Sequence, residues 1–198
     1  MINKTLVLFD FDGTITYKDS ADSFYKFLYN SRLNFIFNNY ILCFNLIVLF
    51  KLKLIDYYAL KKRRLEIHTS KFDTDSLLVK SKIFRDTKFH DILIPAALDK
   101  IQWHKTQGHD VWVVSASYDF LLEKWAFDNK INLITNKTIY LNKKRTFCAN
   151  DINFEEKLIQ INKVVNLIEY HEIYAYGDSE GDKKMLEIAT KSYYKYFI

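Results

Sequence analysis

Three short apolar runs, each followed at once by polar side chains, constrain the fold of this chain more than any other feature. The runs cover residues 6–9, 111–114 and 173–176 and are rich in β-branched and aromatic residues. Such runs are typical of strands buried on both faces of a parallel sheet, and segments of helical period separate them. We therefore predict an α/β fold, with a parallel sheet at the centre of a three-layer core.

Two of the separating segments carry helix signals. Residues 95–107 predict a helix that Gly108 terminates. Residues 153–170 predict a second helix, for which Asn153 and Glu156 form a capping box. The apolar stripe of that second helix consists of Leu158, Ile161, Val165 and Ile168.

The remaining segments suggest two additions to the core. Residues 131–147 alternate apolar and polar side chains, which predicts a β-hairpin or flap. Residues 17–89 are mostly helical in period and predict a helical cap inserted after the first strand. The predicted catalytic core then comprises residues 1–16 and 90–198, and the cap would lie over the carboxyl ends of the strands, where open α/β sheets bind ligands.

The composition sets limits on partners and location. The chain has 198 residues and a formal charge of +5, to which the block Lys61, Lys62, Arg63, Arg64 contributes. We interpret this block as a solvated helix face, with an anionic partner as the alternative, and no nucleic-acid module accompanies it. No signal peptide is evident at the start of the sequence, so we expect a cytoplasmic protein.

Acidic residues follow the first and third apolar runs. Asp10 and Asp12 come after the first run, and Asp178 and Asp182 come after the third. Because parallel strands end at the same edge of a sheet, we expect all four carboxylates in one crevice. Their repulsion, about 4 kcal/mol per pair at ~4 Å, requires a cation. Lys157 supplies one charge, and carboxylate oxygens favour Mg²⁺ as the other.

These residues form a recognisable series of motifs. "DFDGT", "VVSAS", a lysine and "GDSEGD", in this order, resemble the four motifs of the haloacid dehalogenase superfamily of phosphohydrolases. "WHKTQGHDVWVVSAS" and the long insert are similar to subfamily IB, which includes phosphoserine-phosphatase-like enzymes. The resemblance implies a Rossmann-like core with a helical cap. It also implies Mg²⁺-dependent hydrolysis of a small phosphorylated substrate through an aspartyl-phosphate.

The resemblance also implies roles for the acidic residues. Asp10 would be the nucleophile, and Asp12 would be the general acid and base. Asp10, the main-chain carbonyl of Asp12 and Asp178 would hold Mg²⁺. Asp182 would support the metal site by orienting a metal-bound water or Lys157.

The phosphate-binding residues implied by the resemblance are Ser115 and Lys157. Lys157 has rivals in Lys143, Lys144 and Lys163, but its "EEK" context resembles the third family motif. Phe154 stands where the family often has glycine, so the backbone conformation just before that motif is expected to differ from that of the family.

Substrate identity depends on positions outside the motif carboxylates. A phosphoserine phosphatase is expected to have glutamate where this chain has Asp19, and serine where it has Gly13. Tyr118 stands where glycines are usual. Asp19 and Tyr118 are therefore candidate specificity residues, and the departures count against phosphoserine.

Residues 33–50 are free of charged side chains, and their length alone would allow a membrane span. Asp10 and Ser115 must lie on the same side of any membrane, which argues against a single span between them. We predict a buried cap helix, with peripheral membrane contact as the alternative. The alternative functions are a phosphatase for a membrane-lipid phosphate, such as phosphatidylglycerophosphate, and a phosphotransferase.

Overall fold

A computed structural model describes residues 4–29, 32–37, 43–141, 144–148 and 151–198. The strands are β1 Lys4–Phe9, β2 Asp110–Tyr118, β3 Asn132–Asn136, β4 Thr138–Leu141, β5 Lys144–Phe147, β6 Tyr170–Gly177 and β7 Lys191–Tyr194. The helices are α1 Ser20–Leu28, α2 Arg32–Ile36, α3 Cys43–Lys51, α4 Tyr57–Thr69, α5 Thr74–Thr87, α6 Pro95–Thr106, α7 Asp119–Asp128, α8 Glu155–Val164 and α9 Lys183–Glu187. Short 3₁₀ turns cover Phe89–Ile92, Leu167–Glu169 and Glu180–Asp182.

A parallel sheet with helices on both faces forms the core. Its strands lie in the order β3-β2-β1-β6-β7, and each neighbouring pair is parallel. The central strand β1 is buried on both faces, since Leu6 and Leu8 enter one hydrophobic cluster while Val7 and Phe9 enter the other. The predicted α/β class, parallel sheet, helical insert and small hairpin are confirmed.

The prediction for residues 131–147 was incomplete. Asn132–Asn136 is not part of a hairpin but pairs in parallel with β2, with Trp112 opposite Asn132. Only β4 and β5 form the antiparallel hairpin, and its turn at residues 142–143 lies outside the described residues. Alternating polarity is shared by edge strands and hairpins, so the pattern alone could not separate them.

The two predicted core helices differ in outcome. Helix α6 ends as expected, with Gly108 in the left-handed region at φ 73°. Helix α8 is shorter than predicted, because it ends at Val164 and leaves Ile168 93% exposed. The capping box is also wrong: the Asn153 side chain accepts from Phe154 N–H, whereas Glu156 N–H bonds the Asn153 main-chain carbonyl.

The insert between β1 and α6 is helical and packs on the core through aromatic rings. Phe24 of α1 meets Phe84 of α5 edge to face, with ring centroids 5.4 Å apart. Phe84 in turn contacts Phe89, which stacks on Phe11 directly after β1. These contacts hold the insert close to the end of β1. The exact domain boundaries at residues 17 and 89 stay a prediction.

The apolar stretch of residues 33–50 is not one buried cap helix: Phe35 of α2 is buried in the hydrophobic cluster, but α3 is not buried. Helix α3 contains no buried side chain among residues 44–51, and residues 38–42 lie outside the described chain. Within the described ranges, no helix is both long and apolar enough to cross a membrane.

Candidate active site

The turn after β1 directs two carboxylates toward one cavity. Asp10 is buried, and its N–H donates to the carbonyl of Tyr176 in β6, so the end of β1 is tied to the neighbouring strand. Phe11 points into the hydrophobic core between the two acids. Asp10 and Asp12 both line the cavity, as the two-residue spacing predicts.

Lys157, from the first turn of α8, bridges two of these acids. Its Nζ lies 2.5 Å from Oδ1 of Asp10 and 2.5 Å from Oδ1 of Asp182. Burial by itself lowers the pKa of the Lys157 ammonium, but Asp10 and Asp182 raise it to about 12. The lysine therefore stays charged inside the protein and offsets part of the carboxylate repulsion.

Asp182 links Lys157 to the turn that follows β6. Its Oδ2 accepts from the N–H groups of Asp178 and Ser179 and from the Ser179 hydroxyl, at 2.9–3.1 Å. Although burial works in the other direction, Lys157 and these donors lower the pKa of Asp182. Both oxygens of Asp182 thus accept hydrogen bonds, and Oδ1 orients Lys157.

Three acids lie close enough to share a cation. Ligand oxygens of Asp10, Asp178 and Asp182 all fall within 4.8 Å of one another. Asp178 accepts a long 3.4 Å hydrogen bond from the Thr14 hydroxyl. Gly13, at φ 84°, lies beside Asp178, where any Cβ would overlap the carboxylate. An all-oxygen donor set of this kind fits Mg²⁺.

The pKa of Asp10 is set by burial and by its charged neighbours. Burial raises its pKa to about 7, Lys157 opposes this rise, and Asp182 and Asp178 add to it. Burial also raises the pKa of Asp178, and Asp182 contributes. Burial is thus the main reason why these two carboxyl groups hold their protons more strongly than exposed acids do, and their mutual repulsion adds to it.

Asp12 is held by the start of the insert. Its Oδ1 accepts from the N–H of Ser20 at 2.7 Å. Burial raises the pKa of Asp12 well above its usual range, and the charges of Asp19 and Asp10 add to the effect. A carboxyl group with a raised pKa is suited to protonate a leaving group.

Ser115 lies at the end of β2 and lines the same cavity. Its Oγ accepts from the N–H of Ser117 at 3.0 Å, and the Ser117 hydroxyl lies 2.7 Å from that of Ser20 in α1. Sequence reasoning did not anticipate this Ser20–Ser117 contact between core and insert, because nothing in either motif predicts the pairing.

The cavity encloses about 200 Å³ between core and insert. Asp19 lines it and also caps α1, since its carboxylate accepts from Asp22 N–H at 2.7 Å. Tyr118, the other candidate specificity residue, is not among the described residues that line the cavity. Its hydroxyl instead lies 2.8 Å from that of Tyr25, within the buried aromatic cluster.

The basic block of α4 is not simply a solvated face. Lys61 lines the cavity and is 13% exposed, and its Nζ lies 2.5 Å from the carbonyl of Ala116 and 2.6 Å from Oδ1 of Asp151. Arg64 pairs with Asp22 at 2.6 Å. The interpretation was wrong for these two residues because their contacts lie far away in the chain.

Comparisons with known proteins agree with this geometry. The family model described as haloacid dehalogenase-like hydrolase matches residues 7–187. Protein CicA of Caulobacter vibrioides is 24% identical over 97% of this chain and 86% of its own length. A structure from Bordetella pertussis Tohama I, described as a protein with unknown function, aligns with a TM-score of 0.81 at 20% identity, covering 96% of this chain and 89% of that one. A phosphoserine phosphohydrolase-like protein from Francisella tularensis subsp. tularensis SCHU S4 aligns with a TM-score of 0.64 at 19% identity, covering 96% and 85%.

Proposed function

The chain belongs to the haloacid dehalogenase-like hydrolase family, and from this premise we propose that it is a phosphatase that hydrolyses a small phosphomonoester with Mg²⁺ as cofactor. One observation carries the proposal. Asp10 presents a buried carboxylate whose Oδ1 is held by Lys157, while Asp12, two residues later, has a raised pKa and lines the same cavity. This pairing supplies a nucleophile beside a proton donor.

The first half of the reaction transfers the phosphoryl group to Asp10. Because Lys157 holds Oδ1, Oδ2 of Asp10 is the oxygen available for attack on phosphorus. A bond forms between this oxygen and phosphorus, the bond to the leaving oxygen breaks, and Asp12 gives its proton to that oxygen. The products are an aspartyl-phosphate and the free alcohol.

The second half regenerates the enzyme. Asp12, now ionised, takes a proton from a water that attacks the phosphorus, and the bond to Asp10 breaks to release phosphate. Ser115 and Lys157 bind the peripheral oxygens of the phosphoryl group, which stay on phosphorus and whose bonds are neither made nor broken. Asp10, the main-chain carbonyl of Asp12 and Asp178 would hold Mg²⁺, which would supply positive charge that offsets the phosphate and the carboxylates.

A phosphate on a membrane lipid is the second candidate substrate. The observation that favours it is the exposed apolar helix α3, which precedes Tyr57 on the wall of the cavity. Gly13 and Asp19 stand where a phosphoserine phosphatase is expected to have serine and glutamate, so both positions count against phosphoserine as the substrate.

The proposal is tested with purified protein and an aryl phosphate. The wild-type protein should release phosphate with Mg²⁺ and stop when the metal is chelated, while Asp10→Asn should be inactive and remain folded. Asp128→Asn, which changes an exposed carboxylate on α7, is the matched control and should retain activity. Turnover by the folded Asp10→Asn variant would show that the nucleophile is misassigned. A panel of phosphomonoesters that includes lysophosphatidic acid and phosphatidylglycerol phosphate then separates the two substrate classes.

A further inference from the structure

Several large apolar side chains on the surface of the insert lie in or directly after helix α3. We call residues 44–54, which comprise the described side chains of α3 and the turn after it, the α3 surface. Phe44 is 60% exposed, Leu52 is 63% exposed and Leu54 is 67% exposed. None of the side chains in residues 44–51 is buried. A helix this apolar is normally covered, so the exposure indicates a binding surface.

The exposed residues have a regular arrangement. Phe44, Val48 and Leu52 are spaced by four, and the N–H of Leu52 still donates to the carbonyl of Val48 at 2.9 Å. Residues four apart lie above one another on a helix, so these three form a continuous apolar ridge. Lys51 and Lys53, both exposed, follow at the end of the ridge.

The charge of the surrounding chain is one-sided. Between Asp22 and Asp56 the sequence contains Lys26, Arg32, Lys51 and Lys53 but no acidic residue. An apolar ridge in a basic surrounding is complementary to a surface that is negatively charged outside and apolar beneath. A symmetric contact with a second copy would instead place these basic segments against each other.

We propose that the α3 surface docks this protein on an anionic lipid bilayer. Phe44, Val48 and Leu52 enter the boundary between headgroups and acyl chains, while Lys51 and Lys53 contact the anionic headgroups. The nine residues of α3 are far short of the ~20 needed to cross a bilayer, so the contact is peripheral.

The docked surface borders the catalytic cavity. The ring of Phe50 lies 6.3 Å from that of Tyr57, measured between centroids, and Tyr57 lines the cavity. Docking therefore brings the cavity wall next to the lipid surface. The docking inference itself concerns binding and does not depend on the proposed hydrolysis.

Vesicle flotation of the full chain tests the inference. The wild-type protein should float with vesicles of phosphatidylcholine and phosphatidylglycerol, bind vesicles of phosphatidylcholine alone much more weakly, and dissociate as salt is raised. Phe44→Ser with Leu52→Ser should lower the partition coefficient at least about tenfold, since two large apolar side chains no longer insert. Lys51→Gln with Lys53→Gln should lower it about 25-fold on anionic vesicles, at about fivefold per charge.

Ile168→Ser is the matched control. It also removes an apolar side chain that is 93% exposed, but Ile168 belongs to the α/β core and not to the insert. It should bind like the wild type, and circular dichroism should show that every variant is folded. Asp10→Asn should also bind like the wild type, so loss of activity and loss of docking are told apart. The inference is overturned if the wild type does not float with anionic vesicles, or if Ile168→Ser weakens vesicle binding as much as the α3 variants do. It is also overturned if the α3 variants only dissociate a dimer and leave vesicle binding unchanged.

Discussion

Neutralising Asp10 should make the metal-free protein more stable at alkaline pH while abolishing activity. The carboxylate is buried, and its pKa rises from 3.8 to about 7 because burial outweighs the stabilising charge of Lys157. The protein without Mg²⁺ therefore carries a charge that it would hold at lower cost in the unfolded state. Asn at this position resembles the protonated carboxyl group in shape and charge.

The size and sign of the effect follow from the pKa difference. Below pH 3.8 the carboxyl group is protonated in both states and contributes no difference. As pH rises, the unfolded chain loses its proton first, so the free energy of unfolding falls until the folded group also ionises near pH 7. At about 1.4 kcal/mol per pKa unit, the loss above pH 7 is about 4 kcal/mol. Asp10→Asn avoids this loss.

Urea unfolding in the presence of a chelator, followed by circular dichroism between pH 4 and pH 8, measures the difference. The gain of Asp10→Asn over the wild type should be near zero at pH 4 and reach about 4 kcal/mol at pH 8. Asp128→Asn, an exposed carboxylate, should stay within about 0.5 kcal/mol of the wild type throughout. Adding Mg²⁺ should stabilise the wild type and have less effect on the variant. A gain that is absent at pH 8, or equally large at pH 4, would refute the reasoning.

Three further changes test other parts of the structure. Phe154→Gly should raise the free energy of unfolding by about 1 kcal/mol, since Phe154 is held at φ 49° and ψ −126°, a conformation natural only to glycine; a loss of stability in urea unfolding would contradict this. Lys61→Met should lower the free energy of unfolding by about 3 kcal/mol, because it leaves the buried Asp151 carboxylate without its ion pair. It should also weaken substrate binding. The control Lys62→Met should change neither the stability nor substrate binding. Burial lowers the pKa of His104 to about 3. As pH falls below 6.5, this histidine therefore takes up a proton in the unfolded chain but not in the folded protein. The free energy of unfolding should fall by about 2 kcal/mol by pH 5 for this reason. His104→Gln should remove this pH-dependent part, and an unchanged slope of stability against pH would count against it.

The sequence predicted that the motif residues would lie together because they occupy equivalent places in a repeated unit. Asp10 and Asp178 follow β1 and β6, Ser115 lies in the second half of β2, and parallel strands end at one edge of the sheet. Lys157 was identified among four lysines by its motif context, and its short contacts to Asp10 and Asp182 are consistent with that choice. Their catalytic roles remain predictions until the variants are assayed.

The sequence was insufficient where a residue's environment comes from distant parts of the chain. Lys61 belongs to a run of four basic residues and looks solvated, yet its partner Asp151 lies 90 residues away. Tyr118 was a candidate specificity residue, but its hydroxyl forms a hydrogen bond with that of Tyr25 inside the aromatic cluster. Strand β7 escaped notice because "KSYY" is short and its exposed edge carries little apolar signal.

The sequence by itself determined the α/β class, the family, and the set of acids expected at the strand ends, because periodicity and motif spacing are local properties of the chain. The tertiary structure alone decided how the insert closes over those acids, with Lys61 reaching the core and Ser20 meeting Ser117. It also decided that Phe44, Val48 and Phe50 of α3 stay exposed. These outcomes depend on how separate elements pack against one another, and the free energy of that packing is not recorded in any short stretch of sequence.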